Sequence, residues 1–191
     1  MRFGIGMFST QKPSGSTYSH PELYADMLRQ ARLAETAGLD SFWIAEHHFA
    51  EDGYAAAVIP VCCAVLGATQ RLIAGTSVAI ASFYNPIRLA EDAIAADLLS
   101  GGRFVLGIGT GYRPEEFAGM AVAADTDEAR LDEVAEILEK AFTGLPFSHR
   151  GPCYDIPALT ITPAPFTPGG PPVMLDVDSR RSEGRQTDVQ F

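Results

Sequence analysis

The chain has 191 residues, 47% of them hydrophobic and 20% charged, enough for one well-buried soluble domain and at most two. A formal net charge of −10 argues against nucleic acid and against anionic membranes, both of which need clustered basic surface. No apolar run approaches the roughly 20 residues that span a bilayer, and Arg2 leads at once into a short strand-like run rather than a secretory leader, so cytoplasmic residence is expected.

Phe3 to Phe8 reads as the first strand. Ser19 and Glu22 have capping-box spacing with Pro21 in the first turn, so a helix is expected to follow. Leu23, Met27, Ala31 and Ala34 share its inner face, and Gly38 ends it. Phe42 to Ala45 is a second strand, continuously apolar as if covered on both faces. A short helix from about Pro60 to Leu66 precedes a third strand, Leu72 to about Ala81. Asn85-Pro86 opens another helix, with Ile87, Ala90, Ile94 and Leu98 on one face. Gly101-Gly102 closes it, and Phe104 to Ile108 is a fourth strand. This alternation predicts parallel strands joined by helical crossovers.

Asp125 to Phe142 then reads as a charged helix with Leu131, Val134, Ile137, Leu138 and Ala141 on its buried side. Eight of the 13 prolines fall between Thr143 and Pro172, an excursion expected to be ordered by proline stiffness rather than by a strand ladder. Pro172 to Val177 supplies a fifth strand. The expected organisation is α/β: a barrel portion over 1–179 that includes the excursion at about 143–172, then a polar tail over 180–191. About five parallel strands make a partial (β/α)8-type barrel, the later strand–helix units being absent, since a full barrel has eight and usually about 250 residues.

Reactive groups in such folds gather at the carboxyl ends of the strands. The second strand ends in Glu46-His47-His48, the densest polar cluster in the chain. Histidine titrates near neutrality and can exchange protons with a bound reactant. Adjacent residues on an extended segment point to opposite sides, so at most one of the pair faces a common ligand, and the other reading is a histidine bonded for structure. No metal-ligand spacing is present: HExxH is absent, and Cys62, Cys63 and Cys153 are read as reduced and structural. Gly107-Ile108-Gly109-Thr110-Gly111 does not match GxGxxG. Its glycines either let a flat ring or a phosphate approach the backbone or simply form a tight turn.

Taken in order, these pieces resemble the luciferase-like flavin monooxygenases. The resemblance runs from Phe3-Gly4 through Ala37-Gly38-Leu39-Asp40 and Phe42-Trp43-Ile44-Ala45-Glu46-His47-His48-Phe49. It continues through Gly75-Thr76-Ser77-Val78, Asn85-Pro86-Ile87-Arg88, Glu91-Asp92 and Gly102-Arg103-Phe104, and ends in Gly107 to Tyr112 and Glu116-Phe117. It covers roughly the first 175 positions.

The resemblance implies a barrel that binds reduced FMN, or in some relatives a deazaflavin coenzyme. His47 matches the family's catalytic histidine, an acid/base beside the flavin, with Glu46 or His48 as its polar support. Ser77-Val78 matches a bulged position where relatives carry a non-proline cis peptide beneath the isoalloxazine. Thr110 matches a position that contacts the flavin or its phosphate. Ser179 and Ser182 fall where the loop after the fifth strand grips that phosphate, with Arg180 or Arg181 offsetting the charge of Asp178. The implied activity is oxygen transfer to a small organic substrate such as an aldehyde, ketone or alkanesulfonate, with a separate NAD(P)H flavin reductase and homodimeric pairing. Alternatives are a deazaflavin-dependent hydride-transfer enzyme and a shortened, non-catalytic flavin-binding protein. Each version requires the ends of the second and fourth strands to border one cavity.

Overall fold

A computed structural model describes residues 1–123 and 127–176. Strands β1 (Gly4–Phe8) and β2 (Ser41–Ile44) are followed by a third strand in two segments, β3 (Ile73–Thr76) and β4 (Ala79–Ile80), and then by β5 (Phe104–Gly109). Helices α1 (His20–Thr36), α2 (Val58–Ala68) and α3 (Pro86–Ser100) connect them. Helices α4 (Pro114–Met120) and α5 (Asp127–Ala141) follow β5. An antiparallel hairpin, β6 (Phe147–Arg150) and β7 (Asp155–Leu159), precedes the last parallel strand, β8 (Val173–Leu175). The strands run in parallel in the order β1-β2-β3-β5-β8, with β4 continuing the third strand alongside β5. This is the partial α/β barrel sheet that the alternation of strands and helices predicts. Among the described residues no helix is long and apolar enough to cross a membrane.

Local chemistry starts the helices where the sequence places them. The Glu22 carboxylate accepts the Ser19 amide at 2.7 Å. The Asn85 side chain accepts the Ile87 and Arg88 amides at 3.0 and 3.2 Å, satisfying donors that the first turn of α3 leaves open. Helix α4 escapes the sequence pattern, because seven residues are too few to display a helical period.

The helices cover one face of the sheet. Phe42 and Ile44 of β2 are fully buried against that layer, each such side chain contributing about 1.5–3 kcal/mol. Trp43, between them, is only partly buried and lines a cavity on the other face. The apolar run of β2 therefore does not mean equal cover on both sides: its inner face opens to a site.

The break in the third strand shapes that site. From Gly75 to Ala79 the strand uses one residue more than β5 does from Val105 to Ile108, which makes a bulge. The Ser77–Val78 peptide inside it is cis. The bulge pushes towards β5, and β5 meets it with glycine. A Cβ on Gly107 would lie 2.2 Å from the Thr76 carbonyl oxygen, and one on Gly109 would lie 2.7 Å from Val78 Cγ2. The Thr76 hydroxyl donates to the Gly107 carbonyl at 2.6 Å. These two glycines admit the neighbouring strand, and Gly107 also borders the space at the strand ends.

The proline-rich excursion does contain a ladder, contrary to the sequence expectation. Pro157 is tolerated in β7 because it falls at the register irregularity between the Phe147/Leu159 and His149/Ile156 pairs. Two buried carboxylates pin the excursion to the helices. Glu133 of α5 accepts the Cys153 amide at 2.8 Å, the Tyr154 amide at 3.1 Å and His149 Nε2–H at 2.9 Å. Asp97 of α3 accepts the Thr167 amide at 2.8 Å and its hydroxyl at 2.7 Å.

Burial alone would raise the proton affinity of Glu133, but the bonds from His149, Cys153 and Tyr154 outweigh it and hold the carboxyl below its ordinary range. A carboxyl depressed on folding stabilises above its unfolded value of about 4.3 and stops doing so as pH falls through the folded value. The Glu133→Gln variant is expected to lose about 2 kcal/mol at pH 7 by urea unfolding. The gap should narrow at pH 3; an equal gap at both pH values would show that the charge of Glu133 is not what holds the hairpin.

Candidate active site

A cavity of about 690 Å³ lies at the carboxyl ends of β2, the third strand, β5 and β8. His47, Ser77, Val78 and Thr110 all line it, so the ends of the second and fourth strands converge on one space. Trp43 and Tyr54 extend its aromatic wall, and Met174 and Leu175 bring the last strand to its edge. Ser179 and Ser182, with Asp178, Arg180 and Arg181, lie outside the described residues.

The two imidazoles part company, as alternation on an extended segment requires. His47 faces the large cavity. His48 lines a second space of about 280 Å³, shared with Phe83, Tyr84 and Asp92. Glu46 borders both.

Each imidazole has its own buried carboxylate. His47 Nδ1–H donates to Glu116 Oε1 at 2.9 Å, and the His48 amide donates to the same oxygen at 2.9 Å. Glu116 is fully buried, whereas the His47 side chain keeps 18% exposure. A carboxylate only accepts, so the neutral ring carries its proton on Nδ1 and turns Nε2 outward, 3.5 Å from the Tyr112 hydroxyl. Tyr54 packs edge-on against the ring at 4.6 Å between centroids. Burial, aided by the nearby Tyr112, Asp52 and Glu116, pushes the Tyr54 phenol above its ordinary value, so it stays a neutral wall.

The support for His47 is thus Glu116, not Glu46 or His48. Glu46 Oε1 accepts His48 Nε2–H at 2.7 Å, and its Oε2 accepts the Ile80 amide at 3.1 Å and the Tyr84 hydroxyl at 2.9 Å. The resemblance includes Glu116-Phe117 but gives Glu116 no role, and locally two glutamates follow Pro114 in the first turn of α4, where acidic residues are favoured by the helix dipole anyway. Nothing in that run marks which one turns inward.

The described lining suits a flat heteroaromatic ring. The volume falls in the range of small-molecule sites, the bulge at Ser77–Val78 offers a platform, and aromatic and aliphatic walls surround a few polar groups. Among the described lining residues there are two carboxylates, Glu46 and Asp176, and no lysine or arginine. These residues fit the ring system of a flavin and do not supply a cation for its phosphate.

The family model described as luciferase-like monooxygenase matches residues 1–182. The oxygenase component of the flavin-dependent trigonelline monooxygenase of Acinetobacter baylyi is 27% identical over 92% of this chain and 48% of its own length. The monooxygenase RslO1 of Streptomyces bottropensis superposes with a TM-score of 0.85 at 27% identity, over 92% of this chain and 53% of that one. The FMN complex of the oxygenating constituent of 3,6-diketocamphane monooxygenase of Pseudomonas putida shares the fold, with a TM-score of 0.79 at 21% identity over 92% and 51%. The chain spans about half the length of the relatives it matches.

The Glu116→Ala variant is expected to release the His47 ring. Nitrogen-15 spectra should show Nδ1 protonated in the parent and a shift towards the Nε2-protonated form in the variant. Unchanged tautomer populations would separate Glu116 from His47.

Proposed function

This chain belongs to the luciferase-like monooxygenase family, and from that premise we propose that its cavity binds reduced FMN and serves oxygen transfer to a small organic substrate, with His47 as the acid/base. The observation that carries the reading is the His47–Glu116 pair: a cavity-facing imidazole whose rear nitrogen is fixed by a fully buried carboxylate.

When bound, reduced FMN supplies the two electrons that activate dioxygen; the protein must orient the ring, exclude water and manage protons. The Ser77–Val78 bulge would support the ring, and Val78, Trp43 and Leu175, which line the same cavity, would help exclude water from it. Thr110 stands at the rim, one residue before the turn at Gly111. His47 gives or takes a proton at Nε2, and Glu116 stabilises the ring when it is charged. The phosphate is assigned to Ser179 and Ser182. A separate NAD(P)H flavin reductase supplies the reduced cofactor, in keeping with the oxygenase component among the similar proteins. The substrate is an aldehyde, ketone, alkanesulfonate or similar small carbon compound.

Anaerobic titration of the full chain with reduced FMN, and separately with reduced deazaflavin, tests the cofactor. Saturable binding of FMN is expected; binding of the deazaflavin alone would assign the site to hydride transfer instead. In a reductase-coupled assay over a panel of aldehydes, ketones and alkanesulfonates, His47→Ala is expected to lower turnover by roughly 10²–10⁴-fold while FMN affinity stays within about threefold. Turnover equal to the parent would remove His47 from the chemistry.

A further inference from the structure

Glu46 has no part in the proton chemistry described above, yet it is 4% exposed, carries a carboxylate and borders both cavities. A buried carboxylate persists where donors saturate it. Three do so here, from three different places: the Ile80 amide in β4, the Tyr84 hydroxyl just beyond the 3-10 turn Ala81–Phe83, and His48 Nε2–H at the end of β2. Burial and the adjacent carboxylate push the Tyr84 phenol far above its ordinary value, so it remains a donor throughout the neutral range.

The position of these donors gives the residue its meaning. Ile80 lies two residues beyond the bulge. Thr76 immediately precedes it and is tied to Gly107. The bulge therefore has an anchor on each side. On the near side the anchor is the Thr76 hydroxyl bonded to β5; on the far side it is Glu46, reaching across from the segment after β2. The Ser77 amide is held to the Ile44 carbonyl at 2.7 Å, on β2 itself. Without the far anchor, nothing polar from β2 or the segment after it fixes β4 against the end of the site among the described residues.

We propose that Glu46 is a positioning residue: it clamps the segment after the bulge and so sets the height and tilt of the Ser77–Val78 platform beneath the bound ring. The inference rests on the flavin reading of the cavity. It assigns Glu46 a role towards the ring rather than towards the proton on His47. The clamp needs an acceptor more than a charge. A glutamine oxygen can still take both the Ile80 amide and the Tyr84 hydroxyl, while its amide group faces His48 in that ring's other tautomer.

Oxidised FMN is the probe, titrated into the full chain and into the Glu46→Gln, Glu46→Ala and Tyr84→Phe variants. Affinity is read by quenching of flavin fluorescence, geometry by the induced visible circular dichroism of the ring, and folding by far-ultraviolet spectra. Glu46→Gln should bind within about threefold of the parent with the same visible spectrum. Glu46→Ala should lose roughly tenfold or more in affinity and change the spectrum, with Tyr84→Phe between them. Tyr84→Phe opens no new cavity and so carries the test even if Glu46→Ala does not fold.

Parent-like affinity and spectrum in both Glu46→Ala and Tyr84→Phe would overturn the clamp. So would losses in Glu46→Gln as large as those in Glu46→Ala, since charge and not the acceptor would then matter. Failure of the parent chain to bind FMN in either redox state would overturn the flavin reading itself, and the clamp with it.

Discussion

The site depends on one constraint: the third strand carries an extra residue, and its neighbours must absorb it. On one side β5 yields by having glycine at 107 and 109, where any side chain would meet the Thr76 carbonyl or Val78. On the other side the segment following β2 supplies a fixed anchor, because the Glu46 carboxylate bonds the Ile80 amide beyond the bulge. A regular strand at this place would present an even pleated wall. The displaced segment instead makes a step at the carboxyl end of the sheet, and the large cavity forms over it.

The same strand end separates two kinds of work by simple alternation. His47 and His48 adjoin in sequence but face different spaces, each with its own carboxylate. Glu116 comes from a short helix after β5 and leaves His47 Nε2 directed at the cavity. Glu46 comes from the segment just after β2 and ties His48 into the framework. The tripeptide Glu46-His47-His48 thus holds one residue suited to chemistry and two that fix architecture.

Much of this was legible in the sequence. Strand–helix alternation gave the parallel sheet, capping residues gave the helix starts, the rule that function collects at strand ends led to His47, and the family resemblance added Ser77, Val78 and Thr110; all four line one cavity. What escaped was mostly long-range. Glu116 lies 69 positions from His47, and no local pattern says which acid of a Pro-Glu-Glu turn will point inward. The hairpin Phe147–Leu159 escaped because proline density argues against a ladder, whereas a single proline at a register irregularity is harmless. The glycines of β5 read in the sequence either as a close approach or as a tight turn. Their spacing announces a close approach, and only the three-dimensional register shows that another strand makes it.

Charge completes the picture of what the cavity accepts. Glu46 is buried with both oxygens occupied, by the His48 imidazole, the Ile80 amide and the Tyr84 hydroxyl. Buried Glu116 is instead bonded through Oε1 alone, by the His47 imidazole and the His48 amide, and its Oε2 has no hydrogen-bond partner among the described residues. The saturated Glu46 carboxylate presents little free field to a ligand, so the cavity wall it borders is polar without being an anion trap. Such a surface suits a neutral, flat, hydrogen-bonding ring far better than a phosphate. The described lining offers a phosphate no lysine or arginine, and Asp176 at the end of β8 would repel it. The described lining therefore offers a place for a flat ring at the bulged sheet end and no cationic place for a phosphate.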